Sequence, residues 1–488
     1  MYIVSLKKKA INGIAWTFGQ QVSVQAINFL IQIVLARILV PEMFGIIALL
    51  QVFIAVGNSL LDGGMTSSLI RTKSPTQSDY STVFIMNLAF SVAIYIIVFC
   101  ISPLVAKFYH QNILKSIIRI YTLGFIIQAL VAVQTTKLTV ELNFKLQMLM
   151  ELPAIIIGGI VGVVLAEFGY GVWSLVYLYL IRTSVFMLLH WFWSNWRPNL
   201  SAFKFERFKF HFHFGYKLTL SSLITNIYLN IYPLIIGKYF TITQLGYYQQ
   251  ANSISYFPVS NFSAALSKVT FPLFTSINED LIKVRQLFLK FSMLTFFITC
   301  PIMFILSLNS QMLFRVVLTD KWAQSAPYFK FLSLGYIFYP FSLFSMSILL
   351  SKGRSDLHFK AEVIKKTISL IMVIGLVVAY RNMWAIIIGA IFSLLLFSFV
   401  NSVFCCRLIN LSLLKLFKSI LPPFLYCIIA YFIVQYGLDY LSVRYLILGI
   451  IVNSLSFLII YFILCYIFKN KSLEYCVIQI KSFIKNKK

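Results

Sequence analysis

The sequence predicts an all-α integral membrane protein: about fourteen transmembrane helices, arranged as two parallel six-helix repeats followed by two C-terminal helices. Three observations carry this. Of 488 residues, 60% are hydrophobic and only 11% charged, whereas a soluble domain carries about 25% charged residues to cover its surface. Apolar runs such as Val83–Ser102 and Ser442–Phe468 reach the ~20 residues needed to span ~30 Å of hydrocarbon, with Arg444 their one charge. The Lys and Arg residues, finally, concentrate on every second loop.

The chain opens with Lys7, Lys8 and Lys9 ahead of a mostly apolar stretch that runs to Ala36. That stretch is too long for a cleavable signal core, so the first span, 13–38, is expected to stay as a signal anchor. Apolar length then places spans at 44–62, 82–103, 116–136, 151–167 and 171–193. A basic, aromatic loop follows, and six more spans are expected at 215–237, 250–276, 287–308, 326–350, 362–380 and 383–403. The last two fall at 418–436 and 443–468. The richest basic segments, Arg197–Lys217, Lys352–Lys366 and Lys469–Lys488, all fall on the side of the termini, which predicts an even span count and both termini cytoplasmic. The expected domains are 1–200 (helices 1–6), 201–403 (helices 7–12) and 404–488 (helices 13–14 and a basic tail).

A net charge of +27 invites nucleic acid as a partner, but positive-inside bias explains it, with anionic lipid head groups as the neutralising partner. No loop is long enough for a soluble catalytic domain. There is no Walker A loop. The seven cysteines sit in or beside apolar runs without ligand spacing, as small buried residues would. His211 and His213 read as part of an interfacial amphipathic segment and His190 as interfacial. The chain is therefore expected to be no enzyme and to need neither metal nor cofactor. Any function lies within the membrane.

A repeat supports two halves. In LARILVPEMFGII, Arg37 precedes Gly45 by eight residues, and in IGKYFTITQLGYY, Lys238 precedes Gly246 by the same spacing. Six spans separate the two motifs, an even number, so the halves share an orientation. Polar stripes also correspond: Thr17, Gln21, Gln25, Asn28 and Gln32 on the first span, Thr219, Ser222, Asn226 and Asn230 on the seventh. Such a stripe either bonds helices together or lines a polar cavity; its recurrence in both halves favours the cavity.

Arg182 lies ~16 Å from either end of its span at 1.5 Å per residue, too deep to snorkel, and an intramembrane Arg is a functional hypothesis by default. Lys268 shares a face with Asn261 on the eighth span. All fourteen acidic residues, Asp62, Glu151 and Glu167 included, are expected in loops or near span ends, leaving Arg182 and Lys268 without a carboxylate at their depth. An unpaired cation facing a cavity suits an anion carried by the substrate, best a phosphate or diphosphate. Arg37 and Lys238 join Arg182 and Lys268 as candidate cations. Gln21, Gln25, Asn28, Gln32, Ser222, Asn226, Asn230 and Asn261 are the candidate cavity lining.

Over most of its length the sequence resembles the Wzx-like polysaccharide flippases of the MOP (multidrug/oligosaccharidyl-lipid/polysaccharide) superfamily. The resemblance rests chiefly on LARILVPEMFGIIAL at Leu35–Leu49 and LGYYQQANSISYFPVSNFSAALSKVTFPLF at Leu245–Phe274. Weaker support comes from YGVWSLV at Tyr170–Val176, NWRPNL at Asn195–Leu200, LTDKW at Leu318–Trp322 and SKGRSDLHFKAEVIKK at Ser351–Lys366. It implies a MATE-like fold of two six-helix lobes around a central cavity, and alternating access across a bacterial inner membrane. The implied cargo is an undecaprenyl-diphosphate-linked oligosaccharide for lipopolysaccharide, capsule or exopolysaccharide synthesis, with a glycan polymerase and chain-length machinery as possible partners. No motif of that family assigns Arg182 its role. The competing readings are a MATE-like small-molecule antiporter, which would rely on membrane-embedded carboxylates, and a membrane glycan polymerase or acyltransferase, which would need a large periplasmic loop or an intramembrane His.

Overall fold

The computed structural model describes residues 19, 23–438, 446–475 and 478, and every regular element among them is helical. Eleven helices or helix pairs are long and apolar enough to cross a membrane, twelve with one bent pair counted as a single span. Two further helices stand where the first and eighth spans are expected. The chain divides between Gly246 and Tyr247 into two compact units.

The first unit holds α1 (Ser23–Ile38), then α2 (Pro41–Leu61), α3 (Met65–Arg71), α4 (Gln77–Phe108), α5 (Ile113–Tyr121), α6 (Leu123–Val140), α7 (Phe144–Glu167), α8 (Val172–Trp193), α9 (Phe205–Leu229) and α10 (Ile231–Tyr239). It ends in the first turns of α11 (Ile242–Ser276). The expected boundary at 200 lies inside this unit, because α9 packs on α2, α3 and α4.

The helices overrun the apolar cores that the sequence marks. Helix α4 starts five residues ahead of its expected span, where Thr76 and Asp79 form a capping box: the Asp79 amide donates to Thr76 Oγ1 (3.3 Å) and the Thr76 amide to Asp79 Oδ2 (2.7 Å). Helix α7 starts seven residues early, capped by Asn143, whose side chain accepts from the Leu146 amide. Other spans are broken. Between α2 and α3 the chain turns at Asp62–Gly64, with Gly63 and Gly64 at φ 53° and 69°, a region glycine enters without steric cost. Helices α9 and α10 meet at Asn230 with a bend of 44°.

Two close crossings use glycine for its size. On α7, Gly158 and Gly162 form a G-x-x-x-G pair against α8; a Cβ at Gly158 would lie 2.7 Å from Arg182 Cβ, and one at Gly162 would lie 2.7 Å from Leu178 Cδ1. The two glycines of the repeated motif also meet. A Cβ at Gly45 would lie 2.0 Å from the Ile242 carbonyl oxygen, and one at Gly246 would lie 1.9 Å from the Pro41 carbonyl oxygen. The contact is reciprocal, each glycine facing a backbone oxygen of the other motif.

The second unit continues α11 and adds α12 (Leu281–Leu308), α13 (Ser310–Leu318), α14 (Ser325–Tyr336), α15 (Tyr339–Ser351), α16 (Ser355–Tyr380), α17 (Met383–Leu408), α18 (Leu413–Leu438) and α19 (Leu446–Ile467). Its core centres on α12, where Phe288, Phe296 and Phe304 are buried against Phe341 and Phe344 of α15 and Phe457 of α19. The 35-residue α11 does not count among the apolar spans, because it carries Gln244, Gln249, Gln250, Asn252 and Asn261 among its apolar residues. Five of the cysteines, Cys300, Cys405, Cys406, Cys427 and Cys465, are free and buried here, as small apolar residues; Cys100 is exposed and Cys476 lies outside the described side chains.

Candidate functional site

Helices α2, α4, α6, α7 and α8 of the first unit enclose a cavity of about 500 Å³. Its polar wall comprises Asp62, Asn87, Gln128, Glu151, Tyr179 and Arg182. Arg182 Nη2 lies 3.7 Å from Glu151 Oε1, and Nη1 donates to Asn28 Oδ1 at 3.3 Å. The two charged side chains are 34% and 26% exposed, so both are reachable from the cavity. Asp62 accepts from the Thr66 amide (3.0 Å) and hydroxyl (2.7 Å). Gln128 donates to the Tyr179 hydroxyl at 2.7 Å, and the Tyr179 ring is stacked on Tyr121 with centroids 4.1 Å apart. Asn87 is buried in the wall beside Asp62, and its amide lacks well-formed hydrogen bonds, a group whose burial is costly unless water or a ligand reaches it.

This cavity corrects the premise that Arg182 lacks a carboxylate. The early start of α7 sets Glu151 about two helical turns inside the helix, opposite Arg182, where the close approach at Gly158 brings α7 and α8 together. Asp62 likewise sits at a break within a longer helical path, because the chain resumes as α3 as far as Arg71. The site thus combines a guanidinium paired with Glu151, a second carboxylate, Asp62, elsewhere on the wall, and several amides. It offers an anionic oxygen a charge-assisted partner, but one it must share with Glu151.

The other candidates disperse. Gln21 lies outside the described residues, as does Thr17. Asn28 is drawn to Arg182, while Gln25 has a buried Oε1 with no partner; Gln32 has a partner of its own. On α9, Asn226 donates to Ser59 Oγ (2.6 Å) on α2 and Asn230 to the Asn226 carbonyl (2.8 Å), so these two serve as helix-bonding groups; Ser222 is exposed. Lys238 is exposed, donates to the Phe108 carbonyl (3.3 Å) and lies 3.9 Å from the Phe108 ring centre, closing the C-terminal end of α4. Arg37 is exposed near the end of α1. Neither it nor Lys238 lines the Arg182 cavity. In the second unit, Asn261 bonds back to the Phe257 carbonyl (3.0 Å) and Lys268 is exposed on α11.

Two buried charged clusters escaped the sequence reading. His211 is fully buried, its Nε2 3.2 Å from Asp79 Oδ1 and its Nδ1 2.9 Å from Ser68 Oγ, with Arg207 Nε 3.5 Å from the same carboxylate. Only His213 of the pair is exposed, and His190 is also buried rather than interfacial, bonded to the Phe186 carbonyl. In the second unit Lys365, 4% exposed, pairs with Glu362 and bonds Asn401 Oδ1 (3.4 Å), whose amide in turn donates to Ser342. The capping box at Thr76–Asp79 was legible in the sequence; its buried histidine partner, 132 residues away, was not. Among the described residues no group of His, Cys, Asp and Glu is placed to hold a metal ion.

The profile of a family described as "Polysaccharide biosynthesis protein" matches residues 34–327. Among characterised relatives, the chain is 25% identical over 364 residues to the lipopolysaccharide biosynthesis protein WzxC of Escherichia coli (strain K12), covering 74% of each chain. It is 24% identical over 381 residues to the teichuronic acid biosynthesis protein TuaB of Bacillus subtilis (strain 168), covering 75% of this chain and 76% of the other. Among solved structures, the lipid II flippase MurJ in an inward closed conformation superposes with a TM-score of 0.74 at 15% identity, covering 93% of this chain and 98% of that one. An inward-facing MATE-family multidrug transporter of the MOP superfamily gives 0.61 at 16% identity, covering 79% and 94%. At these identities the structural likeness is one of fold.

Proposed function

The chain belongs to the polysaccharide biosynthesis protein family, and on that premise we propose that it flips an undecaprenyl-diphosphate-linked oligosaccharide across a bacterial inner membrane by alternating access. The observation that carries this reading beyond the family is Arg182, a cation held at membrane depth on the wall of a polar cavity. Glu151 acts there as a resident counter-ion. A diphosphate oxygen displaces it, because phosphate offers the guanidinium a bidentate, more highly charged partner. Once the cargo leaves, Glu151 re-forms the pair, so Arg182 never remains as an uncompensated charge. The lipid tail stays in the bilayer while the sugar occupies water-accessible space. The termini face the cytoplasm, and the product on the opposite leaflet is handed to a glycan polymerase and its chain-length machinery. The names of the relatives, which include a succinoglycan biosynthesis transport protein of Rhizobium meliloti, support a glycan cargo.

A deletion strain without a redundant flippase tests this. Lipid-linked glycan should accumulate on the cytoplasmic leaflet and surface glycan should disappear. Normal surface glycan overturns the proposal, and unpolymerised units on the periplasmic leaflet indicate an enzyme instead. Asp62 and Glu151, two carboxylates on the cavity wall, favour a second reading, a cation-coupled small-molecule antiporter. Hypersensitivity of the same strain to cationic compounds, with intact surface glycan, would select it.

A further inference from the structure

We propose that a lysine-rich cleft between α12, α18 and the chain following α19 binds the phosphate-bearing head group of an anionic membrane phospholipid. The cleft, about 490 Å³, is lined by Lys290, Lys415, Lys418, Lys469 and Lys471 and, among the described residues, by no carboxylate. None of the five enters an ion pair among the described residues. A space of that volume is roughly a Debye length across, so five like charges converge on it without an internal counter-ion. That arrangement is stable when an anion supplies the missing charge, and basic pockets between membrane helices on the cytoplasmic side take anionic head groups in this way.

The cleft is built rather than incidental. After α19 the Asn470 amide bonds the Cys465 carbonyl (2.9 Å) and the Lys469 amide bonds the Tyr466 carbonyl (3.1 Å), a Schellman-type ending. The position that ordinarily takes glycine there is Lys469, held at φ 45°. Asn470 is buried and accepts from the Ser472 amide at 2.8 Å, which fixes the turn that carries Lys469 and Lys471 to the cleft. Lys290 Nζ sits 3.6 Å from the Tyr475 ring centre, and Tyr426 is stacked on the exposed Phe468 at 5.6 Å.

The apolar surroundings point to a lipid. From the cleft, Leu421, Leu425 and Ile429 run along one face of α18 at four-residue spacing, each more than 40% exposed, a track for acyl chains that a soluble anion would leave uncovered. The number of cations points to a resident lipid rather than to the transported one, since a carried substrate must be held weakly enough to leave.

Full-length protein in phosphatidylcholine nanodiscs doped with diphosphatidylglycerol, read by native mass spectrometry, tests the site. Wild type should retain the anionic lipid. The combined Lys415→Gln, Lys418→Gln and Lys471→Gln variant should bind it more weakly, on the order of a hundredfold at about 0.7 decade per lysine, while the same three positions changed to Arg should keep it. Undiminished retention by the Gln variant overturns the proposal. So does equal protection of the protein against thermal unfolding by inorganic pyrophosphate, or displacement of the phospholipid by an equimolar polyprenyl diphosphate. Binding is measured without transport, so these outcomes stand apart from the deletion-strain result.

Discussion

Arg182 and Glu151 form an ion pair that is partly open to a cavity, which makes its two halves unequal under mutation. Arg182→Gln removes the only cation on the cavity wall among the described residues; glycan flipping should be lost while the protein still reaches the membrane, and unchanged transport in a complementation assay rejects the anion site. Glu151→Gln leaves the guanidinium without its resident partner and should slow release of the diphosphate, lowering turnover while tightening substrate binding. The Lys365–Glu362 pair is a different case, because Lys365 is sealed from solvent. Removing Glu362 alone leaves a buried charge unpaired and should cost about 3–5 kcal/mol, whereas the double change Lys365→Met, Glu362→Gln should cost much less. Thermal unfolding of the single and double variants in detergent measures the difference.

At the level of helices, close crossings decide which side chains meet. The glycines of α7 let α8 approach until Arg182 faces Glu151; a larger residue at Gly158 would separate them. The crossing of α2 and α11 is tighter, since a Cβ on either glycine would collide with a backbone oxygen that has no rotamer to escape into. Gly45→Ala and Gly246→Ala should each lower stability by about 1–3 kcal/mol. Because both strain the same crossing, the double variant should depart from additivity. A thermal-shift double-mutant cycle checks this, and strict additivity would show that the two glycines do not share a crossing. The eight-residue spacing shared by Arg37–Gly45 and Lys238–Gly246 was visible in the sequence. That the two glycines touch was not, because spacing along a chain says nothing of which helices cross.

For the whole molecule, the multi-pass inner-membrane character follows from helices that are long and apolar enough to span together with the family to which the chain belongs. The spans predicted from apolar length coincide with helices in order. They run short at their starts where Thr76 and Asn143 cap the helix ahead of the apolar run, but not at α17, whose cap Asn382 directly precedes the expected start. The turn at Asp62–Gly64 falls where the expected second span ends, whereas the breaks at Thr122 and Asn230 were hidden, since averaged hydropathy runs straight across a single-residue break. The deletion-strain phenotype belongs to this scale, because flipping is a property of the complete chain in a bilayer and of no single residue.

By itself the sequence determined the class, the approximate number and order of spans and the likeness to flippases. Each of these rests on local composition or on loop charge, which the bilayer reads one segment at a time. Only the tertiary structure decided that Arg182 has a carboxylate beside it, that His211 is buried on Asp79, and that Lys238 donates to the Phe108 carbonyl at the end of α4. Partners 31, 132 and 130 residues apart are chosen by helix register and by how closely two backbones approach. Those quantities are set by packing across the fold, where hydropathy along the chain carries no information.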